Sequence, residues 1–369
     1  MPSRRRFLTS SVLAALGAPL AAAQVAPDSV RRGPFRLRLS TPPVAPPPVA
    51  LADSTAVAAP PGFAPMRPER LRRGDLVGLI TPAGAIFDPS EIREAEEAVR
   101  GLGLRTRRGL HVLDRHGYLG GQDVSRAHDL MEMFRDPEVR SILPLRGGWG
   151  CARLLPYLDY EVIRANPKIL CGYSDVTALL AALYAKAGLV SYHGPVATST
   201  WNDFSVGYFR RVLFDGLPVT MPAPRPDDVV TITPGVARGR LVGGNLSVLS
   251  ALVGTPYMPD TEGHLVFLEE VQEEPYRIDR MMTQLRLAGL FDRAAGVFFG
   301  NCRGCAPESP AQSLSLREVL EDHLRPLGIP AFFGTAIGHV TDKFTVPVGA
   351  YAEMDAERGL LRLLEPAVA

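Results

Sequence analysis

The sequence predicts an α/β fold of two domains, and three observations carry that expectation. Between residues 75 and 145, short apolar runs alternate with stretches of helical period, the pattern of a parallel sheet covered on both faces. A proline-rich stretch at 218–226 interrupts the alternation, and strand and helix patterns resume near Val236. The roughly 300 residues that follow the N-terminal tail suffice for two modest domains.

The tail comes first. Ser3-Arg4-Arg5-Arg6-Phe7-Leu8 precedes an apolar stretch from Val12 to Ala22 that closes on small residues and is too short to span a bilayer comfortably. Residues 1–23 therefore read as a cleavable export signal of twin-arginine type, and the protein is expected in the periplasm, touching the membrane only transiently through that signal. No cysteine lies near the cleavage point, which argues against a lipoprotein. Residues 24–68 are rich in Pro, Ala, Val and Arg and read as an extended linker.

In the first domain, 69–217, residues 75–80 form a strand turned by Thr81-Pro82-Ala83-Gly84. A helix with apolar positions Ile92, Ala95, Val99 and Leu102 follows. A second helix, with Ala127, Leu130, Met131 and Phe134, stops at Pro137 and leads into the strand 141–145. Arg146-Gly147-Gly148-Trp149-Gly150 then lies at a strand C-terminal end, where α/β sheets bind ligands. Its glycines let backbone N–H groups approach a ligand closely, although it fits neither the dinucleotide fingerprint nor the P-loop.

The apolar run 168–171 reads as a buried strand broken by Gly172, and a helical pattern (Val176, Leu179, Leu180, Leu183, Ala187) starts directly after Ser174. Ser174 thus occupies a strand-to-helix corner, where helix N–H groups would receive an oxyanion. Serine is equally a preferred N-cap, and on position alone both readings stand. An aromatic-rich helix is expected over 201–214. Residues 218–235 read as an interdomain connection, and 236–365 as the second domain, with strands at 265–268, 296–299 and 331–334 and a helix at 277–285.

A serine nucleophile needs a base and an orienting acid. Of seven histidines, His193 and His339 are flanked by Gly or Pro in loops, and spacing does not choose between them. Glu269 ends an apolar strand and is the best placed acid, whereas Glu270, Glu273 and Glu274 read as a solvated face. The four cysteines read first as buried thiols, then as a Cys302–Cys305 disulfide and last as half of a metal site; no metal or cofactor is required. The net charge of +1 gives no reason to expect nucleic acid.

Arg146-Gly147-Gly148-Trp149-Gly150, Leu154-Leu155-Pro156-Tyr157-Leu158-Asp159-Tyr160, Gly172-Tyr173-Ser174-Asp175-Val176-Thr177, His193-Gly194-Pro195, Gly243-Gly244-Asn245-Leu246, Leu268-Glu269-Glu270-Val271, Pro275-Tyr276-Arg277-Ile278-Asp279-Arg280 and Gly338-His339 together resemble the LD-carboxypeptidases. These are serine peptidases grouped with the microcin-immunity proteins, and the similarity runs from about Pro68 to Glu365 in the family's order. The resemblance implies a Rossmann-like N-terminal domain carrying Ser174 and a β-rich, swivelling, barrel-like C-terminal domain carrying Glu269 and His339. The active site would then lie in the interdomain cleft.

The resemblance also implies Ser174 as nucleophile, His339 as base and Glu269 as its orienting acid. The oxyanion donors would be the backbone N–H groups of Gly148 and Asp175, with Arg146 and Trp149 shaping the cleft. The substrate would be a murein tetrapeptide or muropeptide losing its terminal D-alanine, and the enzyme a homodimer. Trp149 stands where the family often has Tyr, and Glu270 where it often has Asp. Two further readings are an amidase acting on peptidyl-nucleotide antibiotics, as relatives do, and a non-catalytic protein that binds peptidoglycan peptides.

Overall fold

The computed structural model describes residues 65–369. The export signal and linker positions 24–64 lie outside the described residues. The last linker positions do not hang free: Met66 forms a parallel bridge to Leu189 of the first domain, with Met66 N donating to Gly188 O and Val190 N to Met66 O.

Among the described residues, six strands form the first sheet, in the order Val346–Val348, Ser191–His193, Ile169–Gly172, Val139–Pro144, Leu76–Ile80, Arg105–Arg108. All neighbours are parallel except the first pair. Its central strands are continuous apolar runs because helices such as Ser90–Gly101 and Asp123–Arg135 cover the sheet. The edge strand Arg105–Arg108 has no apolar residue and therefore no strand signal in the sequence. Charges that discourage further pairing suit an edge, and here Arg107 and Arg108 are tied down by Asp136, Glu138 and Glu96.

Eight strands of the described residues form the second sheet: Thr220–Pro222, Leu360–Leu363, Tyr351–Asp355, Val236–Asn245, Leu265–Glu269, Gly296–Gly300, Ala331–Thr335, Val230–Thr233. The four strands from Val236–Asn245 to Ala331–Thr335 are parallel, and the flanking ones antiparallel. Phe267, Phe298 and Phe332 stack across three of the parallel strands at 5.9 and 5.5 Å, a ladder that fixes register.

The expected boundaries need two corrections. Residues 218–235 are not a bare connection, because Thr220–Pro222 and Val230–Thr233 are the two edge strands of the second sheet. Nor does 236–365 remain apart from 69–217: Val346–Val348 returns to the first sheet and pairs with Ser191–His193. Strands this short carry too little periodicity to be read from sequence.

The 201–214 helix is shorter at its start and changes winding midway, running as an α-helix over Asp203–Arg210 and then as a π turn over Arg211–Asp215.

Candidate active site

Ser174 follows the strand Ile169–Gly172 and opens the helical segment that continues into Thr177–Ala182. Its backbone is left-handed, with φ at 64°, whereas an N-cap residue has extended backbone. No side-chain cap bond is made at this helix start, so the capping explanation fails and a strained corner remains. Such a turn lifts the side chain out of the sheet.

The Arg146–Gly150 segment lies beside it. A Cβ on Gly147 would stand 2.9 Å from Ser174 Cβ and 3.1 Å from its Oγ, so only glycine permits this approach. Gly148 has φ of +126° and packs on Gly84, whose N–H donates to Gly147 O. The buried Asp175 carboxylate accepts from Cys151 N at 2.8 Å and so fixes the end of this loop relative to the corner. Burial pushes the Asp175 carboxyl above its usual range despite that bond. Gly148 and Asp175, the candidate oxyanion donors, are thereby held in one rigid unit.

The second domain docks through Gly243-Gly244-Asn245. A Cβ on Gly244 would meet the Thr177 side chain at 2.5 Å, and Asn245 N donates to Thr177 Oγ1 at 3.0 Å. Beside Asn245 on the next strand is Glu269. Glu270 is not part of a solvated face: it is buried and accepts from Asn245 Nδ2, from Ser247 N and Oγ, and from Val271 N. It thus pins the docking motif to the strand that presents Glu269.

Glu269 is fully buried, and its Oε2 lies 2.8 Å from His339 Nδ1. Gly338 has φ of +81°, and a Cβ there would fall 2.0 Å from the same oxygen, so the residue before His339 must be glycine. His193 Nε2 stands 3.6 Å from Glu269 Oε1. Burial alone would raise the Glu269 carboxyl, yet the two facing imidazoles draw it down to about 2. The two histidines that spacing left equal thus share one carboxylate, and exposure separates them. His193 is 1% exposed, whereas the His339 ring is 19% exposed and opens to the cleft.

That cleft, about 520 Å³, is lined by Arg146, Gly147, Gly148, Tyr173, Ser174 and His339, with Val196 to Ser199 and Glu91 and Glu94 on its other walls. Glu91 and Glu94 carried no sequence signal, since acidic residues near the start of a helix are ordinary. Trp149 is not on the cleft wall; it is exposed and packs edge-on against Tyr118 at 6.0 Å. Cys302 and Cys305 form a disulfide, which overturns the free-thiol reading for that pair, while Cys151 and Cys171 are buried thiols.

A strained serine at a strand-to-helix corner, in one cleft with a histidine backed by a buried glutamate, is the arrangement of a serine hydrolase. The chain belongs to the LD-carboxypeptidase family: the family's N-terminal domain matches residues 77–194 and its C-terminal domain residues 238–354. It is 40% identical to the probable murein peptide carboxypeptidase of Bacillus subtilis, over 78% of this chain and 91% of that protein. Among solved structures it is similar to an MccF-like protein from Bacillus anthracis (TM-score 0.75, 31% identity, 81% of this chain, 99% of the other). The muramoyltetrapeptide carboxypeptidase of Oxalobacter formigenes is also similar (0.69, 29%, 78% and 97%). The protein is a serine-type carboxypeptidase.

Proposed function

We propose that this enzyme removes the terminal D-alanine of a murein tetrapeptide through Ser174, His339 and Glu269. The observation that carries the reading is the 2.8 Å Glu269–His339 pair in a cleft shared with the strained Ser174. His339 takes the Ser174 proton as Oγ attacks the carbonyl that links an L-configured centre to D-alanine. The oxyanion is received by the backbone N–H groups of Gly148 and Asp175, each donor worth about 3 kcal/mol in the transition state. The C–N bond then breaks, His339 gives its proton to the departing amine, and water, deprotonated by His339, hydrolyses the acyl-enzyme. Glu269 fixes the imidazole tautomer and balances its transient charge.

The names of the Bacillus subtilis and Oxalobacter formigenes relatives support this substrate class. The Arg4-Arg5 signal supports export, so the substrate would be met in the periplasm. The test is mass spectrometry of the mature chain incubated with a disaccharide tetrapeptide, beside its Ser174→Ala variant. One D-alanine is lost with the wild type alone, while circular dichroism of the variant is unchanged. Turnover retained by Ser174→Ala would remove the serine from the mechanism, and release of another fragment would redirect the substrate.

A further inference from the structure

A carboxypeptidase must recognise the free carboxylate at the end of its substrate. In the reaction above, the departing amine is protonated by His339, and the terminal carboxylate is attached to the same Cα as that amine. Its binding group therefore belongs on the His339 side of the cleft. Arg146 stands instead on the loop of Gly148, one of the candidate oxyanion donors, with its Nη1 directed at Ala85 O, 3.4 Å away.

Lys343 is not itself on the cleft lining, but it stands behind one of the lining residues, on the loop that carries His339. It follows His339 by four residues in the same loop, and its Nζ sits 5.3 Å from the centre of the Tyr173 ring. His339 packs on that same ring at 4.9 Å, and Tyr173 lines the cleft. The residue is only 4% exposed, and its backbone is fixed by Lys343 N donating to Ser205 Oγ at 3.1 Å. Among the described residues no carboxylate comes within ion-pair distance of its ammonium group. Glu269 and Asp342 act on it only through their fields, and Arg303 opposes them. Glu269 is committed to the two imidazoles. A nearly buried ammonium with no ion partner is costly, and an anion supplied by the substrate offsets that cost.

We propose that Lys343 binds the terminal carboxylate of the departing D-amino acid at the edge of the cleft beside the Tyr173 ring, which His339 also contacts. This inference rests on the carboxypeptidase reading, and the test separates the two. Affinity is measured by calorimetry in a Ser174→Ala background, so that chemistry plays no part. The probes are the disaccharide tetrapeptide with a free terminal carboxylate and the same molecule ending in a carboxamide.

Binding should favour the acid by about 50-fold, as expected for a charge-assisted contact. Adding Lys343→Met should reduce that ratio to within about 3-fold of one, and Lys343→Arg should restore most of it. A preference that survives Lys343→Met, or the absence of any preference in its presence, overturns the proposal. Met replaces an unpaired buried charge by an apolar chain of similar length, so the variant is expected to fold, which a thermal melt checks. Failure of the wild type to release D-alanine, with the acid preference intact and dependent on Lys343, would reject the reaction but keep the anion site.

Discussion

The two walls of the cleft are built on different physics. On the Ser174 wall, backbone shape does the positioning: a non-glycine residue at φ 64°, glycines at 147 and 148, and one carboxylate tying loop to corner. On the Glu269 wall, a buried charge does it, held by one imidazole at 2.8 Å and a second at 3.6 Å. Strain does not depend on pH, whereas the ionisation of a buried carboxylate does. Both walls nevertheless carry one buried carboxylate, and the two titrate apart. Burial pushes Asp175 above its usual range, whereas Glu269 is drawn down to about 2, so acid should loosen the loop tie of the nucleophile wall before it discharges Glu269.

Glu269→Gln gives the largest break. The amide no longer balances the imidazolium or enforces its tautomer, and kcat should fall by about 10⁴. The same variant sharpens the comparison through pH. With the folded carboxyl near 2 against an ordinary 4.5, its stabilisation is complete above pH 4.5 and is lost as pH falls from 4.5 through 2. Urea midpoints between pH 5 and pH 2.5 should consequently fall less steeply for Glu269→Gln than for the wild type. Parallel slopes would mean that the carboxylate is not held by the imidazoles. Other depressed carboxyls, such as Glu96 and Asp136, are common to both proteins and cancel in the difference.

Gly147→Ala is the corresponding break on the other wall. The position needs no left-handed backbone, so the added methyl acts only by pushing the loop from Ser174. Displacing the loop that carries Gly148 should lower kcat by about 10² with little change in KM, since the lost contact forms in the transition state. Steady-state kinetics check it.

How much of this was legible follows the same division. The Ser174 corner shows in sequence because a strand, a glycine and a helix start are all local patterns. Glu269 shows because it ends an apolar run. The choice of His339 over His193 does not, since both are followed or preceded by glycine in sequence and both face Glu269; only burial, a tertiary property, separates them. Glu270 misled for a related reason: its partners Asn245 and Ser247 are more than twenty residues away, and a buried acid looks like a surface one until its donors are known. The strand Val346–Val348 is three residues long, too short for its return to the first sheet to be anticipated. Lys343 owes its surroundings to that return, because the loop carrying it and His339 leads directly into the strand.

The smallest effect expected is on stability, and it tests whether the Ser174 wall is strained at all. A left-handed conformation costs a non-glycine residue on the order of 1 kcal/mol or more, and glycine adopts it freely. Ser174→Gly removes the nucleophile and relieves the backbone together, while Ser174→Ala removes the nucleophile and keeps the strain. The comparison of these two inactive variants isolates the conformational term from the lost hydroxyl. Ser174→Gly should be the more stable by about 1 kcal/mol in urea unfolding, less whatever flexibility glycine adds to the unfolded chain. A glycine variant less stable than Ser174→Ala by the full ~0.5–1 kcal/mol that glycine's unfolded-chain freedom costs would mean that the corner holds its serine without strain. The contrast between the two walls would then reduce to a difference in charge alone.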